Sequence, residues 1–160
     1  MRYVMKQKLF SWADEYTIKT ETGEDAFLVD GKAFSLGKQL SFQDMQGNEL
    51  VYIKQRVLSL GPTYEIYKGE AHFATIHKDF TLFKCHFSVH VDDQGDLDAE
   101  GDLSDHEYVL AREGQAVAAI SKAWFQWSDT YGVDIADGED AVLILATTVV
   151  IDLACHGARD

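Results

Sequence analysis

Most of this chain alternates apolar and polar residues with a period of two, as a strand does when one face is buried and the other solvated. In "KCHFSVHV", Cys85, Phe87, Val89 and Val91 share one face, and Lys84, His86, Ser88 and His90 share the other. Turn residues cut such runs at short intervals: "TGED" at 22–25, "DGKA" at 30–33, "MQGNE" at 45–49, "LGPT" at 60–63, "YKGE" at 67–70, "DDQGD" at 92–96 and "REGQ" at 112–115. Many short strands joined by tight turns predict an antiparallel barrel or sandwich.

The tail breaks the period. "EDAVLILATTVVIDLACHG", from Glu139 to Gly157, is apolar all round, which predicts a helix buried on every side. Asp137, Glu139 and Asp140 stand at its start, where the helix dipole favours anions, and Gly157 stands where a C-terminal cap belongs. Roughly 15 residues reach about 24 Å, short of a hydrocarbon slab of about 30 Å, and Asp152 lies within the run. The expectation is a core helix over about 139–156 wrapped by a β-barrel, with no transmembrane span. A carboxyl buried there would have a raised pKa and could handle protons; the expected role of Asp152 is a hydrogen bond at the barrel mouth, to Thr or backbone groups.

A shift of 44 residues lays "YEIYKGEAHFATIHKDF" (64–80) over "YVLAREGQAVAAISKAW" (108–124), matching Tyr64 with Tyr108, Ile66 with Leu110, Phe73 with Val117 and Ile76 with Ile120. Each copy reads as a hairpin, and "FQDMQGNELVYIK" at 42–54 is a weaker third echo. Sheets built from repeated hairpins close readily into barrels, which removes exposed edges.

The same shift disposes of a tempting motif. "DLDAEGDLSDHE", Asp96 to Glu107, nearly spells the calcium loop of an EF-hand. Its counterpart at 52–63 has no acidic side chain, and "FSVHV" before it is strand-like where a helix is required. Residues 96–103 alternate fully, with Leu97, Ala99, Gly101 and Leu103 on one face and Asp96, Asp98, Glu100 and Asp102 on the other. They read as a strand whose four carboxylates offer at most a weak cation site.

Charge narrows the partners. With 27 acidic against 14 basic residues and a formal net charge of -13, the surface repels phosphate backbones, which excludes nucleic acid as a partner. The opening "MRYVMKQKLFSWADEY" reads as neither a secretory signal nor a transit peptide, so a cytoplasmic protein is expected. Cys85 and Cys155, far apart in apolar runs, suit two buried reduced thiols better than a disulfide framework.

Catalytic signatures are absent: no Gly-x-Ser-x-Gly, no Cys-x-x-Cys, no His-Glu-x-x-His. "GKAFSLGKQ" from Gly31 has the wrong glycine spacing for a phosphate loop and Gln39 in place of the Ser or Thr that holds magnesium. His86 and His90 would chelate from a helix, but on a strand they stand about 13 Å apart; His72 and His77 are expected on opposite faces. No cofactor is expected.

The run from "LDAEGDLSDHEYVLAREGQAVAAISKAWFQWSDTYGVDI" (97–135) into "EDAVLILATTVVIDLA" (139–154) resembles the LURP-one-related family, a relative of the tubby C-terminal domain and the phospholipid scramblases. The carrying elements are Gly101, Tyr108, Gly114, Ile120-Ser121-Lys122, Asp129 with Tyr131 and Val133, and the closing Ile151-Asp152; the N-terminal half is similar as well. The resemblance implies a mainly β fold, a closed antiparallel barrel of about twelve strands threaded by its C-terminal helix, as a single domain over 1–160.

It implies less about function. The expectation is a non-enzymatic binding or interaction module, for anionic phospholipid headgroups or a protein partner, cytoplasmic and peripheral to the membrane. The alternatives are a calcium-responsive scramblase-like protein or a small-ligand carrier barrel. Tubby-like lipid binding suggests Lys54, Arg56, Lys68, Lys78 and Lys84 as candidates, since the acid concentrates at 92–107 and 129–140. Trp124, Phe125 and Trp127 fit an interfacial anchor or core packing equally.

Overall fold

The computed structural model describes residues 1–7, 14–33, 35–81, 84–102, 107–122 and 130–156. Twelve strands run in chain order: β1 (Arg2–Gln7), β2 (Glu15–Thr20), β3 (Asp25–Gly31), β4 (Gln39–Asp44), β5 (Glu49–Gln55), β6 (Thr63–Lys68), β7 (Ala71–Asp79), β8 (Lys84–Val91), β9 (Leu97–Asp102), β10 (Glu107–Arg112), β11 (Gln115–Ser121) and β12 (Thr130–Ile135). Each strand pairs antiparallel with its neighbours in sequence, and β1 closes the ring against β12, with Arg2 opposite Asp134 and Lys6 opposite Thr130. The alternation read from the sequence is the in–out alternation of this barrel. Cys85, Phe87, Val89 and Val91 are buried, as are Leu97 and Ala99 in the strand that mimics a calcium loop.

The helix α1 (Ala141–His156) threads the barrel. It begins two residues later than the sequence suggests. Asp140 is its N-cap, accepting the Leu143 N–H at 3.1 Å, while Glu139 stays outside and binds Arg112 at 2.6 and 2.7 Å. Residues Leu143 to Leu153 are buried without a break, which is why no polar face was visible. Thr147 and Thr148 donate their hydroxyls to the carbonyls of Leu143 and Ile144, so neither leaves a polar group unpaired in the core. Burying each Leu, Ile or Val side chain stabilises by about 1.5–3 kcal/mol. The helix therefore occupies the interior that a small-ligand carrier would need for its cavity.

The 44-residue repeat has a structural counterpart. The β6–β7 pairing slips between Ile66 and Tyr67 and the β10–β11 pairing between Leu110 and Ala111, at equivalent positions. Similar slips follow Ile18 and Phe42 in the two preceding hairpins. The extra residue buries two neighbours in succession, Phe73 with Ala74 and Val117 with Ala118. It also corrects the expected opposition of His72 and His77: the bulge returns His72 to the outer face, where its Nε2 lies 2.9 Å from Thr75 Oγ1.

Gly101 is fixed by its partner across the ladder. A Cβ there would lie 2.2 Å from the Tyr108 ring and 2.3 Å from the Glu107 carbonyl oxygen, so only glycine lets that ring lie across β9. Leu103, Trp124, Phe125, Trp127, Asp129 and Gly157 lie outside the described residues.

Candidate binding surface at the end where the helix terminates

Because neighbouring strands are antiparallel, successive connections fall at alternate ends of the barrel. One end carries the connections 21–24, 45–48, 69–70, 92–96, 113–114 and 136–140, which are tight and hold ten Asp or Glu and no Lys or Arg. The helix enters there. It ends at the other mouth, whose described connections contain Asp14 as their one acid beside Lys32, Lys38, Arg56 and Lys122.

The second residue of every even-numbered strand points inward at that second mouth: Tyr16, Leu40, Tyr64, Cys85, Tyr108 and Tyr131, all buried around the last turns of α1. Asp152, 4% exposed, accepts hydrogen bonds from Tyr16 at 2.7 Å and from Tyr131. These partners replace the Thr or backbone groups expected from the sequence. Burial, then the Asp152 charge, pushes both phenols well above their ordinary range. Burial also pushes Tyr64 up to about 12. The Lys122 ammonium sits 4.4 Å from the Tyr131 ring centre, a cation–π contact that brings a charge to the rim.

The five candidate lipid-contacting cations separate. Lys68 stands at the acidic end, 3.9 Å from Asp140 and over the Phe73 ring. Lys54, Arg56, Lys78 and Lys84 lie at the helix-terminating end. Of these, Lys78 turns in to the rim, where its ammonium reaches the Ala154 carbonyl at 3.5 Å and caps the negative end of the helix dipole. Arg56 bonds Glu65 at 2.7 Å and Lys84 bonds Glu100 at 2.6 Å, while Lys54 is exposed and makes no ion pair among the described residues.

Apolar residues share this end. Leu36, Leu58, Leu60 and Phe80 are between 77% and 95% exposed at the tips of three connections, with half-exposed Val57 beside them. Isolated exposed apolar residues are ordinary, but three leucines and a phenylalanine so fully exposed at one pole, ringed by cations, are not. Beside them a cleft of about 460 Å³ runs between Leu60, Pro62, Lys78, Phe80 and Lys84 down to Cys85.

The acidic strand offers little to a cation. Glu100 faces Lys84, Asp98 lies 3.3 Å from His86 and Asp96 lies 2.9 Å from His90, so β8 supplies a basic neighbour to each; Asp102 is also engaged. Among the described residues no group of three His, Cys, Asp or Glu is placed to hold a metal ion. The histidines are bound in pairs: His72 to Asp92 at 2.6 Å, His77 to Thr63 at 2.7 Å, His86 to Asp79 at 2.5 Å. Burial raises the Asp79 carboxyl, but hydrogen bonds from Ser88 and His86 outweigh it and hold the group below its ordinary value.

The sequence reading missed the tyrosine ring and the meeting of Cys85 with Cys155, whose sulfurs lie 2.8 Å apart. The ring had a signal, an inward Tyr just after the start of four even-numbered strands. The thiol contact had none, because it depends on how far the helix travels.

Comparison with known proteins agrees with this architecture. A solved structure, that of the Arabidopsis thaliana protein AT5G01750, superposes with a TM-score of 0.65 over 94% of this chain and 88% of its own, at 14% identity, a likeness of fold alone. Among curated proteins, the uncharacterized protein YxjI of Bacillus subtilis (strain 168) is 34% identical over 157 residues, covering 98% of this chain and 94% of YxjI. The LURP-one-related family model matches residues 1–152, and the chain belongs to that family.

Proposed function

We propose that the protein is a non-enzymatic, single-domain binding module, cytoplasmic, that docks peripherally on anionic phospholipid surfaces through the end where its helix terminates. One observation carries the reading: Leu36, Leu58, Leu60 and Phe80 project at the same pole as Lys54, Arg56 and Lys84, opposite a pole rich in carboxylates. Apolar tips that enter the headgroup layer gain about 25 cal/mol per Å² buried, and each cation near an anionic leaflet adds about 1 kcal/mol. The charge separation also orients the approach, since a protein of net charge -13 meets such a surface only with its acidic pole turned away.

Sedimentation with phosphatidylcholine vesicles, with and without phosphatidylserine or a phosphoinositide, tests this. Binding is expected to the anionic vesicles, weakened about tenfold or more by Leu58→Ser with Leu60→Ser, and by Lys54→Glu with Arg56→Glu. Failure of the wild type to sediment with any anionic vesicle overturns the lipid reading. Retained solution binding to a protein partner, lost in the leucine variant, would assign the same surface to that partner instead.

A further inference from the structure

The structure also brings together two thiols that nothing in the binding reading uses. Cys85, the first inward residue of β8, and Cys155, in the last turn of α1, place their sulfurs 2.8 Å apart. Closing that gap to a covalent bond of about 2.05 Å requires less than about 1 Å of movement. Both are free thiols.

Three features around them are those of a reactive site rather than of inert core. First, Cys85 is buried, yet it forms part of the wall of the 460 Å³ cleft, which opens to solvent beside Leu60 and Phe80. Second, the Tyr108 hydroxyl is buried with no hydrogen-bond partner among the described residues, and after burial it is the two sulfurs that push its phenol further up. Its O–H is thus held beside the thiols and free to donate to a sulfur that gains charge. Third, the Lys78 ammonium is anchored on the carbonyl of Ala154, the residue before Cys155, and its charge favours the thiolate form of either sulfur. Hydrogen bonding from Cys155, opposed by burial and helped by the Lys78 charge, brings Cys85 down to about 7, while the same contact pushes Cys155 up. The contact therefore favours the charge on Cys85 and the proton on Cys155, a division of roles suited to attacking and resolving thiols.

We propose that Cys85 and Cys155 form a two-electron redox pair whose substrate is a small hydroperoxide entering through the cleft beside Lys78 and Phe80. The Cys85 thiolate attacks the terminal peroxide oxygen; the O–O bond breaks, an S–O bond forms, and the departing alkoxide or hydroxide takes up a proton and leaves as alcohol or water. Cys155 then attacks the sulfenic sulfur; the S–S bond forms, the S–O bond breaks, and the sulfenic hydroxyl leaves as water with the Cys155 proton. Two thiols are oxidised to one disulfide as the peroxide is reduced. A thiol reductant restores the pair by exchange. The disulfide ties the end of α1 to the barrel wall at the mouth carrying the exposed leucines.

The full chain, reduced and then exposed to a slight excess of hydrogen peroxide, tests this by intact mass and thiol titration. Expected is a monomer lighter by two hydrogen atoms, with both thiols lost together and recovered with dithiothreitol, and with a higher Tm than the reduced form. Cys155→Ser should trap a sulfenic acid at Cys85 that dimedone labels, and Tyr108→Phe should slow oxidation several-fold at neutral pH without altering the product. Three results each overturn the proposal: thiols untouched by peroxide that oxidises free glutathione, oxygen atoms added at Cys85 while Cys155 stays titratable, or an intermolecular disulfide. The wild-type mass decides even if a variant fails to fold.

Discussion

The two ends of this barrel hold one helix by different means. At the entry end α1 is started by a single side-chain cap, Asp140 on the Leu143 N–H, among solvated turns whose carboxylates repel one another. At the far end the helix is gripped from inside: Asp152 takes two phenolic hydrogen bonds, Lys78 closes a terminal carbonyl and Cys155 touches Cys85. The first end is fastened by partly exposed ion pairs, Arg112 on Glu139 and Lys68 near Asp140, whereas the second depends on buried groups that satisfy one another. A mouth fastened internally can leave its outer loops free to carry leucines and lysines. The entry end, built of tight turns, has no such loops to spare.

The largest break in this contrast should come from Asp152→Ala. It removes the acceptor of Tyr16 and Tyr131 and leaves two buried hydroxyls unpaired, which should lower unfolding free energy by about 3–5 kcal/mol in urea titrations. Asp152→Asn keeps the shape and one acceptor, and should cost about 1–2 kcal/mol. By contrast Asp140→Ala, at the other end, should cost about 0.5–2 kcal/mol, the usual worth of an N-cap. Equal losses from Asp152→Ala and Asp140→Ala would erase the distinction between the ends.

The tyrosine ring sharpens it through pH. Burial raises Tyr16, Tyr64, Tyr108 and Tyr131, all at the far end, above the value of about 10 at which they ionise in the unfolded chain. Below pH 10 both states keep their protons and the stability is intact. As pH rises past 10 only the unfolded chain releases them, so stability falls, and for Tyr64 the fall is complete near pH 12. Thermal unfolding across pH 9–12 should show this decline, and Tyr64→Phe should make it shallower; an unchanged slope would remove Tyr64 from the account.

How much of this was legible depended on which residues obey a local rule. Strand faces such as Leu97 and Ala99 against Asp98 and Glu100 follow from alternation, and the buried helix from a run with no polar side. The barrel also followed, through the hairpin repeat and the family resemblance. A bulge obeys no such rule: one extra residue at Phe73 flipped the face of His72, and nothing nearby in the sequence announces it. Of the candidate cations, Lys54, Arg56 and Lys84 lie at the helix-terminating end, whereas Lys68 precedes an acidic-end turn and lies 3.9 Å from Asp140. Counting strands by parity separates Lys68; it does not reveal that Lys78 turns inward to cap α1, because that needs the helix in place.

The smallest effect on stability probes the acidic end directly. Glu24 and Glu70 are exposed in tight turns, and neither carboxylate is paired among the described residues. Replacing both by Lys should change unfolding free energy by less than about 0.5 kcal/mol, as surface substitutions do. Vesicle binding responds differently. If the acidic pole orients the protein, the reversal lowers net repulsion but weakens the preference for landing far end first. Affinity for anionic vesicles should then rise modestly at low salt, and the gain should fade at about 0.5 M salt, where the Debye length is only about 4 Å. The leucine tips separate orientation from mere charge: Leu58→Ser with Leu60→Ser should weaken the doubly reversed variant less than it weakens the wild type, because the entry pole, with two lysines among its remaining carboxylates, then repels the membrane less. An equal loss in both backgrounds would show that the acidic turns take no part in choosing which end docks.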